Sequence, residues 1–186
     1  AKRIALLEID ELALPTVQAE LRRDFPGIDC LPVLGAAGDP AVLAHALALA
    51  EPEAVFHAAA YKQVPLLQRQ LREAVRNNVL ATDVVARASR DAGVGTFVLI
   101  STDKAVDPVN VLGSTKRPAE MARQPPVDPR SGPRYVTVRF VNLLAPAGSV
   151  VPLFREQIRQ GGPVTVPDPD LTRYPRPIRA VCPYTL

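Results

Sequence analysis

A hydroxyl, a carboxylate and an amine follow one another at the end of an apolar run. Residues 96–100 (TFVLI) predict a strand buried on both faces of a parallel sheet, and Ser101, Thr102, Asp103 and Lys104 come directly after it. In open α/β sheets, ligands bind at the carboxyl ends of the strands. These side chains are therefore placed for chemistry, and proton transfer is the chemistry that such groups perform.

A second amine comes from the helix that follows. Asp107 and Pro108 mark a turn, and a helix is expected from about Val111. Lys116 lies four residues after Leu112, so both side chains project from one face of that helix. A buried strand, a turn and a helix must therefore position the polar groups.

Two other helices are predicted with some detail. Asp39 and Pro40 are a typical N-cap and first position, and the helix they start, to about Ala50, is apolar nearly all round. Such a helix is expected to be well buried. The longest helix is expected over residues 71–92, with Asn78 inside it.

The polar segment carries a resemblance to a known family. STDKAVDPVNVLGSTKR (residues 101–117) is similar to the STDKAV-NPxNxxGxxKR segment of the polysaccharide-biosynthesis branch of the extended short-chain dehydrogenases. The best-known members of that branch are UDP-N-acetylglucosamine 4,6-dehydratases. The resemblance implies a three-layer α/β fold with a doubly wound, Rossmann-like parallel sheet. It continues, in the family's order, at residues 55–65, 73–82, 148–166 and 170–174.

The resemblance also implies a reaction. The family oxidises C4 of a nucleotide sugar by hydride transfer to NAD(P), removes the acidified C5 proton, and expels the C6 hydroxyl as water. Asp103 matches the acid and Lys104 the base, while Thr102 would hydrogen-bond the sugar. Lys116 matches the lysine of Y-x-x-x-K, which binds the nicotinamide ribose. Leu112 holds the tyrosine position and cannot take a proton.

Further residues match the family's cofactor contacts. Glu8 follows the first predicted strand and matches the acid that accepts hydrogen bonds from the adenosine ribose. A carboxylate there favours NAD over NADP, because it repels a 2′-phosphate. Asn78 matches an asparagine that orders water and the catalytic lysine. Small residues that let the backbone approach the nicotinamide half of NAD are Ala58, Ala59 and Ala60.

Three residues match the family's substrate contacts. Lys62 and Asn142 correspond to residues near the sugar nucleotide, and Arg173 corresponds to an arginine near its phosphates. The UDP-sugar is the implied partner. We therefore expect residues 1–142 to form an incomplete NAD(P)-binding domain and residues 143–186 a partial nucleotide-sugar-binding region.

One expected motif is absent. A strand and a G-x-G-x-x-G turn should precede Glu8 by about 20 residues, and this chain has neither. The chain thus resembles a family member that lacks its first strand and pyrophosphate loop. In the full fold that strand lies in the middle of the sheet. Either the strands predicted at residues 3–7 and 54–56 pair directly, or two apolar edges stay open.

The amino-acid composition limits the classes of protein to which the chain can belong. The 186 residues are 47% apolar and 22% charged, which suits one globular domain with a real core. A net charge of +3 from scattered basic residues favours a solvated surface over a nucleic-acid interface. Cys30 and Cys182 are too few for a metal site and suggest a reducing, cytoplasmic compartment. No run reaches the roughly 18 apolar residues of a membrane helix.

Three functions remain open. The first is a nucleotide-sugar 4,6-dehydratase-like protein of polysaccharide biosynthesis. The second is a non-catalytic remnant, or pseudoenzyme, of that family, which the missing loop favours. The third is a nucleotide-sugar epimerase or reductase of the same superfamily, which Leu112 disfavours because those reactions usually use the tyrosine. The sequence leaves a homo-oligomer open.

Overall fold

The computed structural model describes residues 1–121, 132–141 and 150–166. The π-helical turn Arg76–Leu80 joins α4 to α5, and the 3₁₀ turn Asp103–Ala105 follows β4. The strands are β1 (Arg3–Glu8), β2 (Asp29–Leu34), β3 (Ala54–His57), β4 (Thr96–Thr102) and β5 (Arg134–Phe140). The helices are α1 (Ala13–Asp24), α2 (Pro40–Ala50), α3 (Val64–Leu67), α4 (Leu71–Val75), α5 (Ala81–Asp91), α6 (Val111–Met121) and α7 (Val150–Arg159).

The strands form two separate sheets. β1 pairs in parallel with β2, from Arg3 opposite Asp29 to Glu8 opposite Leu34. The second sheet has the order β3-β4-β5, and β3 runs parallel to β4. Within the described ranges no ladder joins β1 to β3. Of the two arrangements expected for the middle of the sheet, the one with open edges is therefore observed.

A shared hydrophobic core lies against both sheets. Leu43 of α2 and Val85 of α5 pack with the fully buried Phe97 and Leu99 of β4. Leu7 of β1 joins this cluster from the other sheet. Burial of a side chain such as Phe97 contributes about 1.5–3 kcal/mol. The two sheets are thus held together by helix packing, in a mixed α/β fold of the Rossmann-like class predicted from the sequence.

Two predicted helices differ from expectation. Asp39 caps α2 as predicted, since its carboxylate accepts hydrogen bonds from the backbone N–H groups of Ala41 and Val42. The predicted burial of the whole helix is wrong: only Leu43 and Ala46 are buried, because the sheets cover one face of α2. The helix predicted over residues 71–92 is interrupted by the π-helical turn.

The chain divides into two compact units, residues 1–137 and 138–186. In the second unit, α7 is followed by Gly161 and Gly162, whose φ angles of 92° and 81° lie in the left-handed region that favours glycine. None of the helices in the described ranges is long and apolar enough to cross a membrane. The predicted role of residues 143–186 in binding a nucleotide sugar stays a prediction.

Candidate functional site

The end of β4 carries a compact group of three polar side chains. β4 extends two residues beyond the predicted run, to Thr102, and the chain then turns through the 3₁₀ segment. The hydroxyl of Thr102 donates to Asp103 Oδ1 at 3.0 Å. The ammonium of Lys104 donates to the same oxygen, also at 3.0 Å. One carboxylate oxygen therefore receives both donors.

These donors change the acidity of Asp103. Partial burial raises the pKa of the Asp103 carboxyl, but the hydrogen bonds and positive charge supplied by Lys104, with the hydroxyl of Thr102, outweigh it. The pKa of Asp103 is consequently held below its usual value. Asp103 is therefore ionised at neutral pH and forms an ion pair with Lys104.

Lys116 lies beneath this group on α6. Only 4% of Lys116 is exposed, and its Nζ donates to the carbonyl oxygen of Ile100, at 2.9 Å. Its amine is thus held at the carboxyl end of β4. Lys116 and Leu112 were predicted to project from one face of this helix. Leu112, on the same face, is buried against Leu67 and Ala74. The position that a tyrosine holds in the family is here part of an apolar cluster.

Asn78 connects two parts of the site. The residue is fully buried in the π-helical turn. Its Oδ1 accepts from the backbone N–H of Tyr61 at 2.8 Å and from the side chain of Asn77 at 3.2 Å. Its Nδ2 donates to the carbonyl of Tyr61 at 3.1 Å and to Thr115 Oγ1 at 3.0 Å. These four bonds use the full capacity of a carboxamide, so the observed role of Asn78 is to clamp the turn after β3 to α6.

The turn after β3 has the small side chains expected of it. Ala58 and Ala59 are exposed and Ala60 is half-buried, so the backbone is open to close approach. Lys62, next along the chain from Tyr61, is exposed. These positions agree with accessibility to a cofactor and a sugar, and the contacts themselves stay predictions.

His57 is buried beneath the sheet. It is 4% exposed at the end of β3, and its Nε2 lies 3.0 Å from Thr82 Oγ1. Thr82 in turn donates to the carbonyl of Asn78. His57 therefore belongs to the packing beneath the sheet.

Glu8 lies at the carboxyl end of β1, in the other sheet. Its Oε1 accepts from the backbone N–H groups of Ile9 at 2.8 Å and Asp10 at 3.0 Å. The carboxylate thus shapes the loop that leaves β1. Its predicted contact with the adenosine ribose stays a prediction, and two predicted substrate residues, Asn142 and Arg173, lie outside the described residues.

The structure therefore brings four predicted residues together at the end of β4: Thr102, Asp103, Lys104 and Lys116. One residue of the hydrogen-bond network beside this group was missed from the sequence. Thr115 accepts from Asn78 and precedes Lys116 on α6, and it is 4% exposed. Thr115 lies three residues after Leu112, which places it on the buried side of the helix. This spacing is the feature of the sequence that could have identified Thr115.

Comparison with known proteins identifies the family of the chain. The family of polysaccharide biosynthesis proteins matches residues 1–183. The capsular polysaccharide biosynthesis protein CapD of Staphylococcus aureus is 43% identical over 174 residues, 93% of this chain and 29% of CapD. The probable polysaccharide biosynthesis protein EpsC of Bacillus subtilis is 52% identical over 124 residues, 67% of this chain and 21% of EpsC. The chain thus spans less than a third of either relative.

Nucleotide-sugar enzymes are similar as well. A UDP-glucose 4-epimerase of Rickettsia rickettsii is 41% identical over 122 residues, 64% of this chain and 36% of the epimerase. The solved structure of Pen from Bacillus thuringiensis superposes with a TM-score of 0.86 at 28% identity, over 99% of this chain and 56% of Pen. DesIV of Streptomyces venezuelae, a dTDP-glucose 4,6-dehydratase solved with NAD, has a TM-score of 0.72 at 20% identity, over 88% of this chain and 55% of DesIV. By sequence and by fold, the chain belongs to the polysaccharide biosynthesis branch of the short-chain dehydrogenase/reductase superfamily.

Proposed function

We propose that the site at the end of β4 performs the proton transfers of a nucleotide-sugar 4,6-dehydratase acting on a UDP-sugar. The observation that carries the proposal is the single Asp103 oxygen that receives both Thr102 and Lys104 at 3.0 Å. A dehydration across C5 and C6 needs one group that accepts a proton and another that donates one. An adjacent amine and carboxyl supply that pair on one short turn.

The protein's own residues have separate tasks in this reaction. Thr102 hydrogen-bonds the sugar, Lys104 takes the C5 proton, and Asp103 protonates the departing C6 hydroxyl. A bound nicotinamide cofactor would supply hydride removal from C4 and its return to C6. The C4 hydroxyl would lose its proton to water as the hydride leaves, and C5 would take a proton from solvent as the hydride returns. Lys116 and the alanine turn (residues 58–60) would lie along the nicotinamide ribose, and Glu8 would face the adenosine ribose.

The lowered pKa of Asp103 sets a condition on this mechanism. An ionised Asp103 is no acid, and a protonated Lys104 is no base. The Lys104 Nζ lies 3.0 Å from Asp103 Oδ1, so one proton passed from amine to carboxylate leaves both groups in their working forms. Displacement of water by the sugar favours this neutral pair. Asp103 then gives its proton to the C6 hydroxyl and Lys104 takes the C5 proton, which restores the ion pair.

The residues fit the cofactor in part. The alanine turn leaves its backbone open, and Lys116 holds an amine at the end of β4. A calorimetric titration with NAD would measure how strongly these residues hold the cofactor.

Two other functions have observations in their favour. Similarity to UDP-glucose 4-epimerases favours an epimerase or reductase, whereas Leu112 stands at the position where those enzymes usually use a tyrosine. The division of the strands into two sheets in the described residues favours a non-catalytic remnant. The dehydratase is preferred because the acid–base pair is assembled.

One experiment separates the three. The chain is incubated with UDP-N-acetylglucosamine and NAD in D₂O, and the sugar is followed by proton NMR. A dehydratase gives a 4-keto product with a C6 methyl group and deuterium at C5, an epimerase inverts C4, and a remnant leaves the sugar unchanged. Asp103→Asn and Lys104→Met should each abolish dehydration. Asp91→Asn is the matched control, because Asp91 forms an equivalent pair with its neighbour Arg90, 2.8 Å away.

A further inference from the structure

Gly113 of α6 is in direct contact with the backbone of the turn that carries the acid–base pair. A Cβ atom built on Gly113 would overlap the carbonyl oxygen of Lys104 and lie 2.9 Å from the carbonyl carbon. Real Cβ atoms essentially never approach another heavy atom within 3.0 Å. Any side chain at residue 113 therefore requires the two backbones to separate, by about 1 Å for ordinary van der Waals contact.

The start of α6 is tied down at this point. Asn110 Oδ1 accepts from the backbone N–H of Gly113 at 3.0 Å, and the carbonyl of Asn110 accepts from Ser114 at 2.9 Å. Three residues further along, Lys116 is bonded to the carbonyl of Ile100. Since α6 is fixed on both sides of Gly113, the 3₁₀ turn is the part that must move.

We propose that Gly113 is a positioning residue for the reaction: the absence of a side chain seats the Asp103–Ala105 turn on α6 and sets Lys104 relative to Lys116. Ala105, the last residue of the same turn, is fully buried, at 0% exposed. The contact between backbones is independent of any activity. Its consequence for catalysis rests on the proposed dehydratase function.

The perturbation is Gly113→Ala, with Gly27→Ala as the matched control. Gly27 has no heavy atom within 4 Å of an added Cβ, and its φ is not in the left-handed region. The first measurement is the titration of the Asp103 carboxyl by carbon NMR. The overlap falls on the backbone of Lys104 and not on that of Asp103, so the turn must distort within itself and the contact of Lys104 with Asp103 Oδ1 must lengthen. The pKa of the Asp103 carboxyl should therefore rise towards the usual carboxyl range in Gly113→Ala and stay unchanged in Gly27→Ala.

The second measurement is the rate of dehydration. A misplacement of about 1 Å in a catalytic group can lower the rate about 10²-fold. We expect kcat to fall by that factor in Gly113→Ala, while KM for the UDP-sugar stays within about twofold. If the parent chain shows no dehydration, the proposed function fails. The Asp103 titration then still tests whether Gly113 positions the Asp103–Ala105 turn on α6.

Two results would overturn the proposal. The first is an unchanged Asp103 titration in Gly113→Ala. The second is loss of the native circular-dichroism spectrum, since the turn alone is expected to move. A double variant, Gly113→Ala with Pro108→Gly, removes the Pro108 Cβ that would lie 3.1 Å from the added methyl. It should stay as perturbed as Gly113→Ala, and recovery would identify Pro108, not the Lys104 carbonyl, as the obstacle.

Discussion

The carboxamide of Asn78 should contribute more to stability than any other single polar group near the site. Asn78→Ala removes its bonds to the N–H and C=O of Tyr61 and to Thr115 Oγ1. A net hydrogen bond contributes about 1 kcal/mol. Tyr61 is 47% exposed, so water replaces part of what its peptide group loses. We therefore expect the free energy of unfolding to fall by about 2–3 kcal/mol.

Asn77→Ala is the matched control. Asn77 is the preceding residue of the same π-helical turn and donates one bond, at 3.2 Å, to Asn78. Its loss should cost about 0.5–1 kcal/mol. The chain has no tryptophan, so urea unfolding is followed by far-ultraviolet circular dichroism. Equal m-values in the parent and both variants would confirm that the change lies in stability.

A local measurement complements the unfolding curve. The Tyr61 amide hydrogen is bonded to Asn78 in the parent and should exchange with solvent much faster in Asn78→Ala. A difference between the two asparagine variants of less than 1 kcal/mol would refute the clamp. Unchanged exchange at Tyr61 would refute it as well.

Three further outcomes are expected. Glu8→Gln keeps an acceptor for the N–H groups of Ile9 and Asp10 but removes the charge. NADP should therefore gain affinity relative to NAD in fluorescence titrations. An unchanged ratio of the two affinities would count against a contact between Glu8 and the adenosine ribose. The pKa of Asp103 is lowered on folding. Its contribution to the free energy of unfolding is therefore present above the ordinary carboxyl pKa and is lost as the pH falls through the pKa of the folded state. Asp103→Asn should flatten the acid side of the plot of stability against pH by a few tenths of a kcal/mol, as for an exposed ion pair. Lys116→Met leaves the Ile100 carbonyl without its amine donor and should lower stability by about 1–2 kcal/mol in urea unfolding, whereas no loss would mean that the bond is not maintained in solution.

The elements around the site were largely predictable. The apolar run of β4 gave way to polar residues at the strand's end, and α6 begins at Val111, as expected. The N-cap at Asp39 was equally clear, since capping depends on a few neighbouring residues. Local patterns of this kind depend on nearby backbone geometry, and the sequence carries them directly.

Features that depend on distant parts of the chain were not predictable. The π-helical turn at Arg76–Leu80 has no pattern of its own, and it places Asn78 between Tyr61 and Thr115. The apolar composition of α2 suggested burial all round, but composition does not reveal how many layers cover a helix. The pairing of Asp103 with Lys104 also depends on the 3₁₀ turn, because neighbours in an extended strand point to opposite faces.

The two ends of the proposed cofactor site have different mechanical connections to the reaction centre. The carboxyl end of β4, from which the acid–base turn leaves, is tied to α6 by hydrogen bonds, since Lys116 bonds Ile100 and Ser101 donates to Glu120 of α6 at 2.6 Å. Glu8, by contrast, belongs to a sheet that no ladder joins to β3 in the described part of the chain.

The link between the sheets is side-chain packing, in which Leu7 and Val55 meet the cluster around Leu43. Packing of this kind holds two sheets together without setting strand register, because it is not directional. Substitutions at Glu8 should consequently change cofactor preference and leave the Asp103 titration untouched. Substitutions at Gly113 should do the reverse, so the adenosine end and the reaction end of the site are separable by mutation.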